Sequence, residues 1–484
     1  MSPVDLVVMA AYFAVVILIG VHFGKRQRDA GDYFLGRREL PWWAVMLSIV
    51  ATETSALTVI SVPGLAARGD LTFLQLPLGY LLGRIGVALW LLPGYFRGDQ
   101  QTAYERLEER FGPAVRRLGS AVFMVIRALG DSVRVYVAAI PLVVITGWSE
   151  PTTVVVVATV VAVFTLVYTW AGGIRAVIWV DVMQMGLYTL AAVTTIVVAL
   201  GLAGGLGGAV GDAMAARKLH ALDWGLSLTT TYTLLGGLVG GALLSAASHG
   251  TDHMIVQRLL ATRSLRDAQK ALIASGAVVI VQFAVFLLVG TFLWAAGADD
   301  GMVRSDTLFP AFVVEHLPVG ISGLVVAGIL AAAMSTVSSS LNSLASATTN
   351  DFYAPLTGNA DPRQLLRVGR RATLVWALVL LLGALSFVLG SSDQPAVELA
   401  LSIASITYGA LLGTYILGGS FARARQRDAV AAILTGSTLM LIVVLVKPGP
   451  FGALAWPWYV PLGTIVTMVV GLASSMLRRR VAAA

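Results

Sequence analysis

A stripe of hydroxyl side chains runs through an apolar part of the chain, and hydroxyl oxygens are the hard ligands that alkali cations need. The segment begins at Ala332 and reads AAMSTVSSSLNSLAS. Polar or small residues recur in it every three or four positions, so one helical face would carry Ala332, Ser335, Thr336, Ser338, Ser339, Asn342, Ser343 and Ser346. Small residues at this spacing also let two membrane helices pack closely, with each hydroxyl bonded to its own helix. The stripe alone therefore leaves a cation site and a packing surface open.

Charged side chains within apolar segments are the second chemical signal. Arg127, Asp131 and Arg134 are spaced i, i+4 and i+7, which places them on one face of a helix. One carboxylate does not neutralise two guanidinium groups, and an unpaired Arg within a membrane is costly. A carboxylate-bearing solute could supply the missing charge with bidentate geometry. The alternative is an internal ion cluster, or a gate in which the extra Arg pairs with Glu53 or another acid.

Asp181 lies near the start of another apolar segment, where a carboxylate is costly and usually functional. Its partner is expected to face the interior of the protein. The alternative is an interfacial carboxylate paired with Arg175.

The elements that hold these residues are predicted to be membrane-spanning helices. Of the 484 residues, 57% are hydrophobic and only 12% are charged, and the mean hydropathy is +0.83. A soluble globular protein has roughly 25% charged residues. Thirteen apolar segments are each long enough to cross a bilayer as a helix: 4–23, 41–66, 72–96, 114–147, 150–170, 176–200, 226–247, 267–297, 318–351, 369–390, 397–420, 428–446 and 456–477. The sequence thus predicts an all-α polytopic membrane protein surrounded by lipid.

The distribution of Lys and Arg predicts how these helices are oriented. Of the 33 basic residues, 25 lie in segments on one side, 5 on the other and 3 within predicted helices. Because basic loops stay in the cytoplasm, the N-terminus is expected outside and the C-terminus inside a cell membrane. The net charge of +7 is then a signal of topology, and no nucleic-acid partner is expected. The absence of cysteine excludes disulfides and thiolate metal sites.

The lengths of the helices suggest an internal repeat. Two predicted helices, 114–147 and 318–351, are unusually long, and each is the third member of a five-helix unit if the units start at 41–66 and 226–247. Five is odd, so the second unit enters the membrane from the opposite side, which is the inverted repeat of many secondary transporters. The first helix of each unit is irregular, and we expect breaks at ATETSALT (51–58) and at GGLVGG (236–241).

Four motifs make the chain resemble the sodium:solute symporter family over nearly its full length. They are DYFLGRRELPWW (32–43), AGGIRAVIWVDVMQ (171–184), TDHMIVQRLLATRSLRDAQKA (251–271) and FPAFVVEHLPVGISGLVVAGILAAAMSTVSSSLNS (309–343). The resemblance implies the five-plus-five inverted repeat of the LeuT-like fold within a single domain, 1–484. The expected parts are an extra N-terminal helix (4–23), a first repeat (41–200), a second repeat (226–420) and two extra C-terminal helices (428–477).

The same resemblance implies ion sites. The main sodium site of the family lies between carbonyls at the first break and oxygens on the long helix of the second repeat, and the matching positions here are Ala51, Thr54, Ala332, Ser335 and Thr336. Some members place a second sodium ion between an aspartate and two serines one turn away, which here are Asp181, Ser338 and Ser339. One sodium ion is therefore expected, and a second is possible.

Solute contacts in the family come from the helices near the first break. Glu53 lies in that break, where it could sense the ion or bind a substrate amine, or else bond to the freed backbone amides. The further candidates are Thr58, Phe73, Gln75, Arg134 and Tyr232. The substrate itself does not follow from the sequence, although a carboxylate-bearing solute such as an amino acid or a monocarboxylate is favoured.

The resulting expectation is sodium-coupled symport of a small organic solute by alternating access, without covalent chemistry. A proton-coupled carrier on the same fold is the nearest alternative, with Asp181 or Glu53 as the titrating group. A transporter-like sensory protein and a membrane enzyme are further alternatives, and neither is supported by a long soluble C-terminal domain or by a nucleophile and base within the spans. The oligomeric state is open, and a monomer is plausible.

Overall fold

The computed structural model describes residues 2–24, 27–98, 100–139, 142–143, 146–298, 305–387 and 396–483. Helices make up most of these residues. In chain order they are α1 (Pro3–Gly24), α2 (Ala30–Leu35), α3 (Trp42–Glu53), α4 (Ala56–Arg68), α5 (Gln75–Gly86), α6 (Leu92–Tyr95), α7 (Glu105–Phe111), α8 (Pro113–Val137), α9 (Glu150–Leu202), α10 (Gly205–Ala215), α11 (Gly241–Gly250), α12 (His253–Leu260), α13 (Leu265–Ala295), α14 (Leu308–His316), α15 (Ile321–Ala347), α16 (Ala354–Thr357), α17 (Pro362–Ser386), α18 (Ala396–Ser420), α19 (Gln426–Val446) and α20 (Tyr459–Ala483).

Ten stretches of the described chain are long and apolar enough to cross a bilayer, if α3 and α4 count as one bent span. The helix α9 holds two of the predicted spans, because its backbone leaves the helical region at Gly173 (φ 55°, ψ −154°). Only glycine fits there, since a Cβ atom would lie 2.5 Å from the carbonyl oxygen of Tyr33. The two remaining predicted spans, 114–147 and 226–247, overlap α8 and the α11–α12 segment, which are not among these long apolar stretches of the described chain.

The first break lies within the predicted 51–58 segment. The helices α3 and α4 meet at an angle of 61°, with Thr54 and Ser55 between them. The carbonyl of Ser55 starts the new helix by accepting hydrogen bonds from the amides of Thr58 (2.9 Å) and Val59 (3.2 Å). The amide of Ser55 donates to the carbonyl of Glu53 (3.0 Å) instead of to that of Ala51, four residues before it, so the carbonyl of Ala51 is free for other contacts.

The second break was predicted at the wrong place. Residues 236–240 form a π-helical turn that continues into α11, and the chain breaks at Thr251 and Asp252 instead. The glycines serve close packing, because a Cβ atom on Gly237 would lie 2.7 Å from the backbone of Gln75 in α5. Asp252 sets the break, since its side chain accepts a hydrogen bond from the amide of Met254 and caps α12. The predicted span 226–247 was also too early, because residues 220–233 are not helical.

The helix α15 is the central helix of the molecule. Of its most apolar stretch 83% is buried, and it packs against α1, α8, α9 and α17. Asp5 of the extra N-terminal helix α1 holds that helix against the start of α15. Its carboxylate accepts hydrogen bonds from the amides of Gly320 (2.7 Å) and Gly323 (2.9 Å). The hydroxyl stripe therefore faces other helices on all sides rather than lipid.

Candidate ion and solute site

The hydroxyl stripe of α15 meets the end of α3. The Oγ of Ser335 donates a hydrogen bond to the carbonyl oxygen of Ala51 at 2.9 Å, and the Oγ1 of Thr336 donates to the carbonyl oxygen of Thr52 at 3.2 Å. Both hydroxyls also lie near the carbonyl oxygen of Ala332, at 3.1 Å and 3.5 Å. All of these residues are buried. Two hydroxyls and three carbonyls thus form a compact group of neutral oxygens at the first break.

One predicted residue of this group points elsewhere. The side chain of Thr54 donates a hydrogen bond to Oε1 of Gln282 in α13 at 2.8 Å. The carbonyl of Thr52, which the sequence did not suggest, accepts the hydroxyl of Thr336 instead. The structure therefore brings together Ala51, Ala332, Ser335 and Thr336, while Thr54 contributes no side-chain contact to them.

Asp181 is fully buried beside this group, and its partner is Arg258 rather than Arg175. The Nη2 of Arg258 lies 3.2 Å from Oδ2 of Asp181 and also donates to the hydroxyl of Ser339. Ser48 donates to the same carboxylate oxygen at 2.5 Å. The guanidinium group therefore lies between Asp181 and Ser339, two of the residues predicted to hold a second sodium ion. The third, Ser338, donates to the carbonyl oxygen of Ser335 at 3.0 Å.

Arg175, the alternative partner of Asp181, pairs with another residue, and the count of basic residues in loops changes slightly. Arg175 pairs with Glu39 at 2.6 Å. Arg258 lies in the buried helix α12, so it is removed from the 25 basic residues assigned to loops on one side. The strong bias in that count is unaffected.

The predicted excess of positive charge around Arg127 and Arg134 is wrong. Asp252, at the second break, forms an ion pair with Arg127, and Tyr408 donates a hydrogen bond to the same carboxylate at 2.8 Å. Asp131 pairs with Arg134 and also accepts the hydroxyl of Ser340. Two carboxylates therefore balance two guanidinium groups, which is the internal ion cluster named as the alternative.

Glu53 is likewise paired. The fully buried Arg84 of α5 contacts Oε2 of Glu53, and its other terminal nitrogen donates to Ser275 at 2.7 Å. The Nε2 of His249 lies 3.7 Å from the same carboxylate oxygen. The side chain of Glu53 is 17% exposed, so it is not closed off completely.

A cavity connects these charged groups. It contains about 810 Å³ of space not occupied by atoms, open solvent included. Four predicted solute residues line it: Glu53, Thr58, Phe73 and Arg134. Tyr80, Leu244 and Phe283 add aromatic and aliphatic surface to its wall, and Arg127, Ser248 and His249 add further polar groups.

Two predicted solute residues, Gln75 and Tyr232, do not line the cavity. Gln75 is fully buried, with its amide nitrogen bonded to the carbonyls of Thr72 (3.1 Å) and Tyr232 (3.2 Å). Tyr232 packs edge-on against Phe73, with ring centres 5.2 Å apart, and donates a hydrogen bond to Glu398 at 2.6 Å. Tyr232 therefore supports the wall from behind Phe73, and Gln75 holds the backbone of Tyr232.

Proteins of known function resemble this chain over almost its whole length. The sodium/sialic acid symporter NanT of Aliivibrio fischeri is 28% identical over 477 residues, which is 97% of this chain and 92% of that protein. The solved structure of a Na⁺-coupled sialic acid symporter, in a substrate-bound outward-open state, superposes with a TM-score of 0.88 at 27% identity and covers 98% of both chains.

A more distant structure supports the fold alone. MhsT, solved in complex with L-phenylalanine, superposes with a TM-score of 0.52 at 16% identity, over 90% of this chain and 99% of that one. The LeuT-like fold that the family resemblance implies is thereby confirmed. The family model for sodium:solute symporters matches residues 33–436. The chain is therefore a multi-pass membrane transporter that couples solute movement to Na⁺, and it is not an enzyme. It belongs to the sodium:solute symporter family.

Proposed function

We propose that the transported Na⁺ binds between the first break and the hydroxyl stripe. Its ligands are the carbonyls of Ala51, Thr54 and Ala332 and the hydroxyls of Ser335 and Thr336. The observation that carries this proposal is the 2.9 Å contact between the Ser335 hydroxyl and the freed carbonyl of Ala51. A cation entering there replaces the hydroxyl protons as the partner of the carbonyls, and both hydroxyls turn their lone pairs toward it. Neutral oxygens suit a monovalent ion, because no full countercharge has to be desolvated.

An ion at this position couples the two halves of the protein. Ala51 belongs to the proposed first repeat (41–200) and Ser335 to the proposed second repeat (226–420), so Na⁺ holds the two together. Sodium arriving from outside favours the outward-open state, the solute then closes the outer gate, and release inside follows the loss of Na⁺. The coupling requires only that each ligand binds one state better when the other ligand is present.

A second Na⁺ at Asp181, Ser338 and Ser339 binds only after Arg258 has withdrawn. The guanidinium group supplies the positive charge there when it contacts Asp181 at 3.2 Å. A sodium ion and the guanidinium compete for the same oxygens. The number of ions carried per cycle is therefore one while Arg258 remains in place, and two if it leaves.

The solute that we propose carries a carboxylate, and Arg134 is its anchor. Arg134 lines the cavity, is 19% exposed, and its Nε has no hydrogen-bond partner among the described residues. Its carboxylate partner Asp131 already receives Ser340, so donors of Arg134 remain available to a ligand. Sialic acid, the substrate named for two of the similar proteins, is itself a carboxylic acid. Thr58 and Phe73 complete the contacts, and Gln75 and Tyr232 hold Phe73 in position.

We also propose the orientation predicted from the basic residues, with the N-terminus outside and the C-terminus in the cytoplasm. The bias of Lys and Arg supports it, even after Arg258 is removed from the count. A single copy contains the whole proposed pathway, which is consistent with a monomer.

The test is uptake into proteoliposomes, combined with thermal unfolding of the purified protein. N-acetylneuraminate, leucine and lactate are the probes, each in NaCl and in KCl. Uptake of at least one probe is expected with an inward Na⁺ gradient and not with a pH step alone. Arg134→Ala should abolish this uptake, whereas Arg117→Ala, an exposed residue on the same helix, should leave it unchanged. Uptake driven by the pH step and insensitive to Na⁺ would overturn the main site, and an active Arg134→Ala variant would overturn the anchor.

A further inference from the structure

His249 presents an unused nitrogen to the cavity. It lies in the last turn of α11, just before the second break, and is 3% exposed. It lines the cavity, and its Nε2 has no hydrogen-bond partner among the described residues. A buried polar atom without a partner is costly, so this nitrogen is a candidate for contact with a ligand.

The partners of the other ring nitrogen decide what Nε2 offers. Nδ1 of His249 lies 2.8 Å from the hydroxyl of Ser248 and 3.2 Å from the carbonyl oxygen of Ser245. A carbonyl oxygen only accepts hydrogen bonds, so we assign the proton of the ring to Nδ1. The Nε2 of the neutral ring then carries a lone pair and accepts a hydrogen bond.

A second acceptor lies beside it. The Oε2 of Glu53 is 3.7 Å from Nε2 of His249, which is too long for a hydrogen bond between them. A donor atom placed roughly 2.9 Å from each would contact both. Arg84 already pairs with the Glu53 carboxylate, so this group does not require a further full positive charge to remain ionised.

We propose that the transported solute carries an ammonium group that donates hydrogen bonds to both Glu53 and His249. An ammonium group has several protons and serves two acceptors at once, whereas a hydroxyl group has one proton and leaves one acceptor unpaired. This proposal rests on the proposed function, in which Arg134 binds the carboxylate of the same solute. Together the two contacts specify an amino acid.

The charged residues that line the cavity are balanced, and this favours a zwitterionic solute, which carries no net charge. Its three charged lining residues, Glu53, Arg127 and Arg134, each pair with a buried residue of opposite charge, namely Arg84, Asp252 and Asp131. A solute with no net charge enters such a cavity without leaving an unpaired charge behind. The carboxylate and the ammonium group of the solute each find one local partner.

A series of matched solutes tests the proposal on the full-length protein in Na⁺. The four probes share one carbon skeleton and differ only at carbon 2: 4-methylpentanoate, 2-hydroxy-4-methylpentanoate, leucine and N,N,N-trimethylleucine. Leucine should bind at least about tenfold more tightly than the hydroxy acid, and the trimethyl compound, which has no N–H, should bind no better than 4-methylpentanoate. Equal binding of leucine and the hydroxy acid overturns the proposal, as does binding of none of the four.

Two variants assign the effect to this site. His249→Phe should weaken leucine binding about tenfold more than it weakens 4-methylpentanoate binding, while His316→Phe, which replaces an exposed histidine of α14, should change neither. If His249→Phe does not fold, the solute series on the unmodified protein still tests whether an ammonium group is recognised. Unaltered leucine binding in a folded His249→Phe variant contradicts the role of His249.

If N-acetylneuraminate shows Na⁺-dependent binding while none of the four probes binds, only the ammonium proposal fails. If no carboxylate binds at all, the proposed function fails with it.

Discussion

Arg258 donates a hydrogen bond to Asp181 across 77 residues of sequence, and both side chains are fully buried. Arg258 lies on α12, just after the second break, and Asp181 lies on α9, so the pair joins the two halves of the protein. Ser48 of α3 bonds to both side chains, at 2.5 Å from the carboxylate and 2.9 Å from Nε of the guanidinium. One buried ion pair therefore links both broken helices to α9.

Removing one member of this pair should be more harmful than removing both. Asp181→Asn leaves the buried guanidinium uncompensated, and we expect a loss of about 3–5 kcal/mol in the free energy of unfolding. The double variant Asp181→Leu/Arg258→Met should recover most of that loss, because it removes the uncompensated charge. Glu39→Gln is the control, since it breaks an ion pair in which Glu39 is 60% exposed, and it should cost less than about 1 kcal/mol. Denaturant unfolding in detergent measures all three, and a double variant less stable than Asp181→Asn would contradict the argument.

The hydroxyls at the first break should determine the affinity for Na⁺. Ser335→Ala and Thr336→Ala each remove one proposed ligand, and each should weaken the apparent affinity for Na⁺ about tenfold or more. Ser343→Ala is the matched control, because Ser343 lies on the same buried helix and its hydroxyl donates to the carbonyl of Ser340 within that helix. The Na⁺ dependence of thermal unfolding measures the affinity without requiring a known solute. An unchanged Na⁺ dependence in both variants would remove the main site.

The architecture was predictable because it depends on patterns that are local in sequence. The length of the apolar segments predicts the spans, and the spacing of the hydroxyl residues predicts a buried face on α15. The polar and β-branched composition of 51–58 predicts the first break. Each of these signals lies within one helix. The group formed by Ala51, Ser335 and Thr336 followed once the family resemblance aligned the two helices, and the structure brings these residues together.

The ion pairs were not predictable because they join segments that are distant in sequence. Asp252 and Arg258 belong to the quoted 251–271 motif, and the sequence places them in a loop between the predicted spans 226–247 and 267–297, since it puts the second break at the glycines. With the break moved to Thr251 and Asp252, both residues become buried and pair with Arg127 and Asp181. An error in the position of one break thus produced the apparent charge excess near Arg134.

Gly79 of α5 should be required for close packing against the glycine-rich turn at 236–240. In Gly79→Ala the new Cβ atom would lie 2.1 Å from the carbonyl oxygen of Gly237, which is backbone and has no room to move. We expect a severe loss of stability or of folded protein. Gly86→Ala, at the end of the same helix, meets nothing within 4 Å and should be neutral or slightly stabilising, by up to about 1 kcal/mol. Fluorescence-detected size exclusion of both variants compares the yield of folded protein, and equal yields would contradict close packing of α5 against residues 236–240.

Glu105 should make stability depend on pH outside the membrane-spanning helices. Burial raises the pKa of its carboxyl from 4.5 to about 7, and this effect outweighs the attraction of Arg116, whose Nη2 lies 2.8 Å away. Between pH 4.5 and about 7 the folded protein then binds more protons at this group than the unfolded chain does. Its contribution to stability is therefore fully present below pH 4.5 and is lost as the pH rises to about 7.

The variant Glu105→Gln should remove this part of the pH dependence, because an amide does not titrate. The matched control is Glu109→Gln, which replaces an exposed acid on the same short helix, α7, and should leave the profile as it is. Thermal unfolding from pH 5 to pH 8 measures the difference between the variants and the unmodified protein. Parallel profiles for Glu105→Gln and the unmodified protein would mean that Glu105 stays ionised in the fold, with Arg116 rather than burial controlling its charge.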